Sequence, residues 1–407
     1  MAHAQSSDIR IEGSGATFAF PLIDLWRVEY GAISNVQLNY NSIGSGGGVT
    51  NHINKLGSFG ATEAPLSERE QEAAPGTITI PAMVGAISVA YNVADLPSGL
   101  KLTGEALCGI FLEEITQWDD PAIADENPGL TLPSEDIVTV HRSDGSGTTF
   151  AFTSYLTKIC PAWDEQIGAA KSVPWPSGIG SPGNEGVAGT VRTTDNSIGY
   201  IALAYALQND IPTAHIQNGD RTNFVAPSLD TASAASGSAA FWLPEAGESW
   251  HGVDLLASPG LNSYPITSFS YLIIHPELNE STNGKERAEA LVDMVAWMIT
   301  DGQQLSPRLG YVPIADLVSN IGLKGLSEIT YDGVQVYDGP VSVWESDGQS
   351  SVLDAWIDEI TEQYESGEVD QSTFFNLMAQ AAQLHAMVDA DLIDEDRLGD
   401  ALANIIP

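Results

Sequence analysis

The chain has 407 residues, of which 43% are hydrophobic, so it is long enough for two or three domains with ordinary apolar cores. Its charge is unusual, because 54 acidic residues against 15 basic ones give a formal net charge of −39. Such a surface repels nucleic acid and anionic membranes, and it suits a protein that stays soluble in salty surroundings. A lineage bias in composition would produce the same imbalance, so the charge restricts the partners and leaves the chemistry open.

The sequence predicts no membrane-spanning helix, because it has no run of about 20 apolar residues. The first residues, MAHAQSS, lack a hydrophobic signal core. Residues 2–4, Ala-His-Ala, nevertheless have the small-x-small pattern that ends a cleaved signal peptide. We therefore expect an exported protein that works outside the cytoplasm, either in a periplasm or at the cell surface.

Two strand–turn–helix units open the chain. The alternating apolar residues at 9–11 predict a short strand, which leads into the turn at residues 13–18 and then a helix with Pro21 near its start. The alternation at 36–40 predicts a second strand, and the glycine-rich turn at 44–48 precedes another helix. Both turns consist of Gly, Ser and Thr with few larger residues.

A third unit of this kind carries the strongest signal. Residues 136–140 alternate as a strand does, and the run HRSDGSGTTFAF at 141–152 follows. Such a strand-to-helix turn directs free backbone N–H groups and the positive end of a helix toward one point. Ser146 and Thr148 add hydroxyl donors and Arg142 adds a charged fork of donors, so the turn predicts an oxyanion site. No lysine follows the glycines, which excludes a nucleotide-binding P-loop.

Each turn has a simpler explanation as well. A glycine-rich turn often only reverses the chain, and a serine or threonine there is often a helix cap. Three such units in one chain would be an unusual coincidence. Convergence of all three turns on one anion therefore stands beside three independent turns as a hypothesis.

Nine runs of the chain carry a family resemblance. They are GSGATFAFP (13–21), NYNSIGSGGGV (39–49), FGATEAPLS (59–67), LTGEALCGIFLEEITQWDDPAI (102–123), NPGLTLPSEDIVTVHRSDGSGTTF (127–150), GIGSPGNEGVAG (178–189), SIGYIALAYA (197–206), YPITSFSYLII (264–274) and LGYVPI (309–314). Together they resemble the phosphate-binding protein of the bacterial and archaeal phosphate ABC importer. The resemblance extends from about residue 9 to residue 337.

The resemblance implies an α/β fold of the periplasmic-binding-protein type II class, a two-lobed hinged clamshell with the ligand between the lobes. Lobe I would comprise residues 7–92 and 267–337, and lobe II residues 93–266. The strands at 87–92 and 267–275 would be the crossings between the lobes.

The resemblance also implies a set of phosphate ligands drawn from the three turns and from the FGATEAPLS run. These are Thr17, Phe18 through its backbone N–H, Ser45, Glu63, Arg142, Ser146, Gly147 and Thr148. Asp144 would hold Arg142 in place and reduce the positive charge of the pocket. Glu63 occupies a position where the family motif usually carries aspartate. His141 would point away from Arg142 along the strand and is expected to be structural.

The only cysteines are Cys108 and Cys160, both on predicted helices of the central region. In an exported protein two cysteines can pair, and the alternative is two small buried hydrophobic residues. These cysteines and the seven scattered histidines show no metal-ligand spacing, so we expect neither a metal nor a cofactor.

From residue 338 the character of the sequence changes. Residues 338–407 contain three amphipathic patterns, which predict a small helical extension. The extension would dock a surface or protein partner, or it would be a stabilising appendage. Its acidic run at 389–396 lacks the glycine and the spacing of an EF-hand loop.

The resemblance implies a binding protein rather than an enzyme, one that captures inorganic phosphate and delivers it to the membrane permease of an ABC importer. The alternative is a binding protein for another oxyanion, such as sulfate, molybdate or arsenate. A serine hydrolase with Ser45 or Ser146 as nucleophile is disfavoured, because the chain lacks a G-x-S-x-G elbow and a base placed by sequence.

Overall fold

A computed structural model describes residues 9–237 and 243–343, together with seven single residues between 356 and 377. The strands are β1 (Ile9–Gly15), β2 (Val36–Ser42), β3 (Phe59–Thr62), β4 (Ile78–Asn92), β5 (Lys101–Leu102), β6 (Val138–Arg142), β7 (Ile179–Ser181), β8 (Ser197–Ala202), β9 (His215–Gln217), β10 (Phe224–Val225), β11 (Thr267–Ile274), β12 (Tyr311–Val312), β13 (Thr330–Tyr331) and β14 (Val334–Gln335). The helices are α1 (Phe20–Ile33), α2 (Ser45–Ile53), α3 (Glu68–Ala73), α4 (Gly104–Phe111), α5 (Pro121–Ala124), α6 (Gly147–Ile159), α7 (Pro161–Gln166), α8 (Gly183–Thr193), α9 (Leu203–Gln208), α10 (Leu229–Ser236), α11 (Lys285–Ile299) and α12 (Asp316–Ser327). A 3₁₀ helix occupies Asp301–Leu309.

The long strand β4 joins the two halves of the main sheet. The strand order is β2-β1-β3-β11-β4-β8-β6-β7, and β12 also pairs with β4. The first part of β4 is antiparallel to β11, and its last six residues are antiparallel to β8. Its sequence is almost continuously apolar and buried, which is typical of a central strand covered on both faces. This architecture confirms the predicted α/β clamshell.

The carboxyl ends of parallel strands bring the important turns together. In lobe I, β1 pairs in parallel with β2 and β3, so the turns after these three strands share one edge. In lobe II, β6 pairs in parallel with β7 and β8, so their following turns share an edge as well. Ligands of open α/β sheets bind at such edges.

A β-bulge interrupts the pairing of β4 with β11. Ser270 lies opposite Met83 and Tyr271 lies opposite Pro81, so Ala82 is the extra residue. Pro81 has no N–H to donate to the ladder, which favours a bulge at this point. The carbonyl of Ala82 is satisfied by the Gln303 side chain at 2.9 Å. The bulge therefore sets the direction of the Ser270 side chain without leaving a buried carbonyl unpaired.

The predicted lobe boundaries remain a prediction. The structure shows one segment whose contacts cross them. Residues 245–250 lie in the span assigned to lobe II, yet they contact strands of lobe I. The carbonyl of Ala246 accepts the N–H of Thr79 at 2.7 Å, and the Trp250 ring lies 5.3 Å from the ring of Tyr271. This segment therefore packs on the other lobe.

Cys108 of α4 and Cys160 at the end of α6 form a disulfide, with their Cα atoms 6.5 Å apart. It joins two helices of lobe II, and α6 begins at the third turn. Of the two alternatives left open by the sequence, the structure has the pairing.

The chain divides into two compact units, residues 1–237 with 244–339 and residues 238–243 with 340–407. The predicted helical extension falls mostly outside the described residues. Trp356, Ile360 and Leu377 of the second unit are buried. Among the described residues, no helix has both the length and the apolar character needed to cross a bilayer.

Candidate anion-binding site

The glycine-rich turn of lobe I meets the third turn of lobe II. The N–H of Gly46 donates to the carbonyl of Gly145 at 2.8 Å. A Cβ atom on Gly147 would lie 2.6 Å from Ser45 Oγ and closer still to a Glu63 carboxylate oxygen. Only a residue without a side chain fits there, because real Cβ atoms do not approach other atoms so closely. The glycines therefore allow the N-termini of α2 and α6 to converge on one point.

The carboxylate of Glu63 is held by a serine on each oxygen. Ser45 Oγ donates to Oε2 and Ser270 Oγ donates to Oε1, each at 3.0 Å. Glu63 is 3% exposed, and this burial raises its pKa to about 7. The hydrogen bonds from Ser270 and Ser45, and the charge of Arg142, act in the opposite direction. Glu63 is thus a buried acid that titrates near neutral pH and is kept in one orientation.

Arg142 is the one buried lysine or arginine among the described residues. Its Nε donates to Asp144 Oδ1 at 2.7 Å, and its Nη2 donates to the other carboxylate oxygen. Burial alone would raise the pKa of Asp144, but the hydrogen bonds and charge of Arg142 outweigh it, so the pKa is lowered. The Gly183 N–H also donates to Asp144, at 3.0 Å. The pair thus places a guanidinium at the site while cancelling most of its charge.

Thr17 of the first turn and Thr148 of the third turn are joined by a single side chain. Nδ2 of Asn184 donates to Thr17 Oγ1 at 2.8 Å and to Thr148 Oγ1 at 3.1 Å. Both threonine side chains are buried, with 2% and 0% of their surfaces exposed. The first turn of the chain therefore reaches the same place as the other two.

Two further predicted residues act in the local structure. Ser146 caps α6, since its Oγ accepts the Thr149 N–H at 3.0 Å, while its own N–H donates to the carbonyl of Lys171 at 2.8 Å. Phe18 is fully buried, and its ring packs edge-on against Tyr311 with centroids 5.8 Å apart. Their backbone positions in the first and third turns are consequently well fixed.

His141 has a different environment from its neighbour Arg142. Its ring stacks on Trp175 with centroids 5.0 Å apart, and burial lowers its pKa. This packing agrees with the alternation of side chains along a strand. His141 thus belongs to an aromatic cluster in which the Trp175 ring also packs against Phe111 and Tyr200.

Three residues of the site were missed by sequence reasoning: Asn184, Ser270 and Tyr200. Tyr200 accepts the N–H of Arg142 at 3.1 Å and lies 2.6 Å from Thr149 Oγ1. All three lie inside runs that carried the family resemblance, in GSPGNEGVAG, YPITSFSYLII and SIGYIALAYA. In each run a polar residue stands among apolar residues or glycines, and this pattern is the sequence feature that could have identified it.

The described residues contain no group of three or more His, Cys, Asp or Glu side chains that could hold a metal ion. The arrangement instead offers buried hydroxyls, helix N-termini, one neutralised guanidinium and one buried carboxylate. Such a set can bind a tetrahedral oxyanion that also carries a proton for the carboxylate to accept.

Known proteins share this fold. The family model for the PBP superfamily domain matches residues 2–301. A high-affinity periplasmic phosphate-binding protein solved with bound phosphate superposes with a TM-score of 0.62 at 20% identity, covering 76% of this chain and 92% of that one. A phosphate-binding protein from Stenotrophomonas maltophilia gives a TM-score of 0.59 at 17% identity, with the same coverage. The protein is thus a two-lobed binding protein of the periplasmic type.

Sequence similarity identifies the family within this class. The phosphate-binding protein PstS of Haemophilus influenzae is 41% identical over 322 residues, which are 78% of this chain and 93% of that protein. PstS of Methanocaldococcus jannaschii is 35% identical over 341 residues, or 79% of this chain and 87% of that protein. The chain belongs to the PstS family of phosphate-binding proteins.

Proposed function

We propose that this protein captures inorganic phosphate in the cleft between its lobes, outside the cytoplasm, and delivers it to the membrane permease of an ABC importer. It would act as a carrier and not as an enzyme. The observation that carries the proposal is the meeting of Ser45, Glu63 and Gly147, which brings donors from both lobes and one carboxylate to one enclosed point. The PstS relatives are named as phosphate-binding proteins, which supports the same conclusion.

Phosphate in a closed cleft loses its hydration, so each of its oxygens needs hydrogen bonds from the protein. The proposed donors come from all three turns: Thr17, the N–H of Phe18, Ser45, Arg142, Ser146, Gly147 and Thr148. Ser45 would donate through its backbone N–H at the start of α2, because the proton of its hydroxyl goes to Glu63. Asp144 neutralises most of the charge of Arg142. Most of the binding free energy would therefore come from hydroxyls and backbone dipoles.

Glu63 is the proposed basis of selectivity. At neutral pH phosphate is a mixture of mono- and dianion, and both forms carry a proton that sulfate lacks. An ionised Glu63 accepts a hydrogen bond from that proton, whereas it faces a sulfate oxygen as one acceptor against another. Glutamate is one methylene longer than the aspartate usual in the family, and the two serine hydrogen bonds keep its carboxylate in place. This argument disfavours sulfate as the ligand.

Export would follow from the signal-peptide pattern at residues 2–4, and the strongly acidic surface suits an extracytoplasmic, salty setting. Residues 338–407 offer a docking module for a surface or protein partner, with a stabilising appendage as the alternative. The permease would recognise the loaded form, in which both lobes contact the same anion.

Isothermal titration tests the proposal directly. Protein stripped of phosphate should bind phosphate at one site, whereas sulfate should give no measurable heat under the same conditions. A titration with arsenate, which carries protons as phosphate does, measures how finely the pocket distinguishes size. Sulfate binding as tight as phosphate binding would contradict the proposal. Release of phosphate from a chromogenic ester would instead support the alternative of a serine hydrolase.

A further inference from the structure

We propose that Asn184 is a positioning residue that fixes the Thr17 and Thr148 hydroxyls as hydrogen-bond donors toward phosphate. The inference rests on the proposed function and assigns a role to a side chain outside the predicted ligand set. It is carried by the hydrogen-bond geometry of one fully buried amide.

The orientation of the Asn184 amide follows from its partner on β8. The Ala202 backbone N–H donates to Asn184 Oδ1 at 2.8 Å. A backbone N–H can only donate, so the amide oxygen must face Ala202 and the amide nitrogen must face the threonines. The two hydrogens of Nδ2 then serve Thr17 Oγ1 and Thr148 Oγ1 separately.

The hydroxyl of Thr17 is left with one possible role. Its oxygen accepts from Asn184 Nδ2 at 2.8 Å and from the Asn184 backbone N–H at 3.1 Å. A hydroxyl oxygen has two acceptor positions and one proton. Because both acceptor positions are filled, the Thr17 proton is free only to donate. Thr148 accepts from the same amide, so its proton is also turned away from Asn184.

A hydroxyl whose proton already points toward the anion contributes more binding free energy than a hydroxyl that can rotate. Phosphate oxygens need donors, and a threonine already set as a donor requires no reorganisation when the ligand arrives. Asn184 also connects Thr17 of lobe I with Thr148 of lobe II. The two bonds exist together only when the lobes are closed, so Asn184 should slow phosphate release as well as orient the donors.

A purely structural role is the competing explanation. In that case Asn184 would only hold the start of α8 against β8 through its bond to Ala202. The two explanations predict different phosphate affinities for a variant in which only the amide nitrogen is replaced. Asn184→Asp makes this change, because one carboxylate oxygen can still accept from Ala202 while the other replaces the donor.

Phosphate titration and stopped-flow release of Asn184→Asp test the proposal. The new acceptor draws the threonine protons away from the ligand, and we expect the affinity to fall by about 100-fold or more. Asn184→Ala, which adds no charge, should lose about tenfold, mainly through faster release. Asn127→Asp is the matched control, since Asn127 is a buried amide whose partners are all backbone groups of lobe II. Its affinity should stay within about twofold of the parent.

A double-mutant cycle separates positioning from simple charge repulsion. In a Thr17→Val background the hydroxyl is absent, so Asn184→Asp should cost several-fold less than it does in the parent. An equal cost in both backgrounds, or parental affinity in Asn184→Ala, would overturn the proposal. If Asn184→Asp does not fold, the cycle is run with Asn184→Ala and the same outcomes apply. Failure of the parent protein to bind phosphate would instead refute the proposed function.

Discussion

The buried polar groups at the two ends of helix α2 (Ser45–Ile53) differ in their chemistry and in their partners. At the C-terminal end, His52 stacks on His275 with ring centroids 4.0 Å apart. Nε2 of His52 lies 2.9 Å from Thr77 Oγ1, and Nε2 of His275 lies 2.7 Å from the His52 carbonyl. At the N-terminal end, Ser45 and its neighbours point hydroxyls and N–H groups toward one shared point. Strand β11 contributes Ser270 to one end and leads into His275 at the other.

The difference shows how one fold separates stability from binding. A buried polar group costs free energy unless it has a partner. The histidine pair is completed by the protein itself, whereas under the proposed function the anion completes the remaining donors around the other end. Substitutions at the histidine end should therefore change the free energy of unfolding, and substitutions at the anion end should change affinity.

The largest effect should come from Arg142→Met. The change removes the buried guanidinium and leaves Asp144 without its main partner near an anion. Loss of one member of a buried charged pair is costly, so the phosphate dissociation constant should rise about 10³-fold. Arg221→Met is the control, because Arg221 forms an exposed ion pair with Glu105 within lobe II. If calorimetry gives both variants the same affinity, the charge of Arg142 is not part of the site.

Glu63→Gln should alter selectivity more than it alters phosphate binding. The glutamine amide can donate to a sulfate oxygen, so the repulsion that excludes sulfate is lost. We expect the ratio of phosphate to sulfate affinity to fall by about 100-fold, measured by competition titration. A variant that still rejects sulfate as the parent does would show that Glu63 only supports the loop before Pro65.

At the histidine end the expected effect is on stability and depends on pH. Burial, together with the nearby charge of His275, lowers the pKa of His52 to about 3. An unfolded histidine titrates near pH 6.5. The contribution of neutral His52 to the free energy of unfolding is therefore complete above that pH and is lost as the pH falls from there toward 3. The free energy of unfolding of the parent protein should therefore fall between pH 6 and pH 4. In His52→Gln this fall should be smaller, by up to about 1.4 kcal/mol per pH unit.

Urea unfolding at several pH values measures this slope. His251→Gln serves as the control because His251 is exposed on a loop. Equal slopes for His52→Gln and the parent protein would mean that the histidine pair does not resist protonation. Phosphate affinity at pH 7 should be almost unchanged in both variants, which keeps the two ends of α2 distinct.

The smallest effect is expected from an ion pair beside the cleft. Lys171 Nζ lies 2.6 Å from Glu70 Oε1, each side chain about one fifth exposed, and it joins the loop that holds Ser146 to α3 of lobe I. Lys171→Met should speed phosphate release about three- to tenfold, because a partly exposed pair contributes modestly. Lys285→Met, which removes a pair within α11, should not change the release rate. Identical release rates for Lys171→Met and Lys285→Met would exclude a role in closure.

Much of the site could be predicted because its turns are local. The runs around Thr17, Ser45 and Ser146 each combine strand, turn and helix signals within a few residues, and their spacing does not depend on the rest of the fold. The roles of Asn184 and Ser270 could not be found this way, because Asn184 is 167 residues from Thr17 and Ser270 is 207 residues from Glu63 in the sequence. The cysteine pairing and the packing of residues 245–250 on lobe I are likewise tertiary facts that no local pattern contains.

Small-angle scattering tests the central claim, that donors of two lobes close on one anion. The phosphate-stripped protein should have a larger radius of gyration than the same protein with saturating phosphate, because the ligand stabilises the closed arrangement of the turns. Sulfate at the same concentration should leave the radius unchanged. An identical radius with and without phosphate, under conditions where calorimetry shows phosphate bound, would contradict the account.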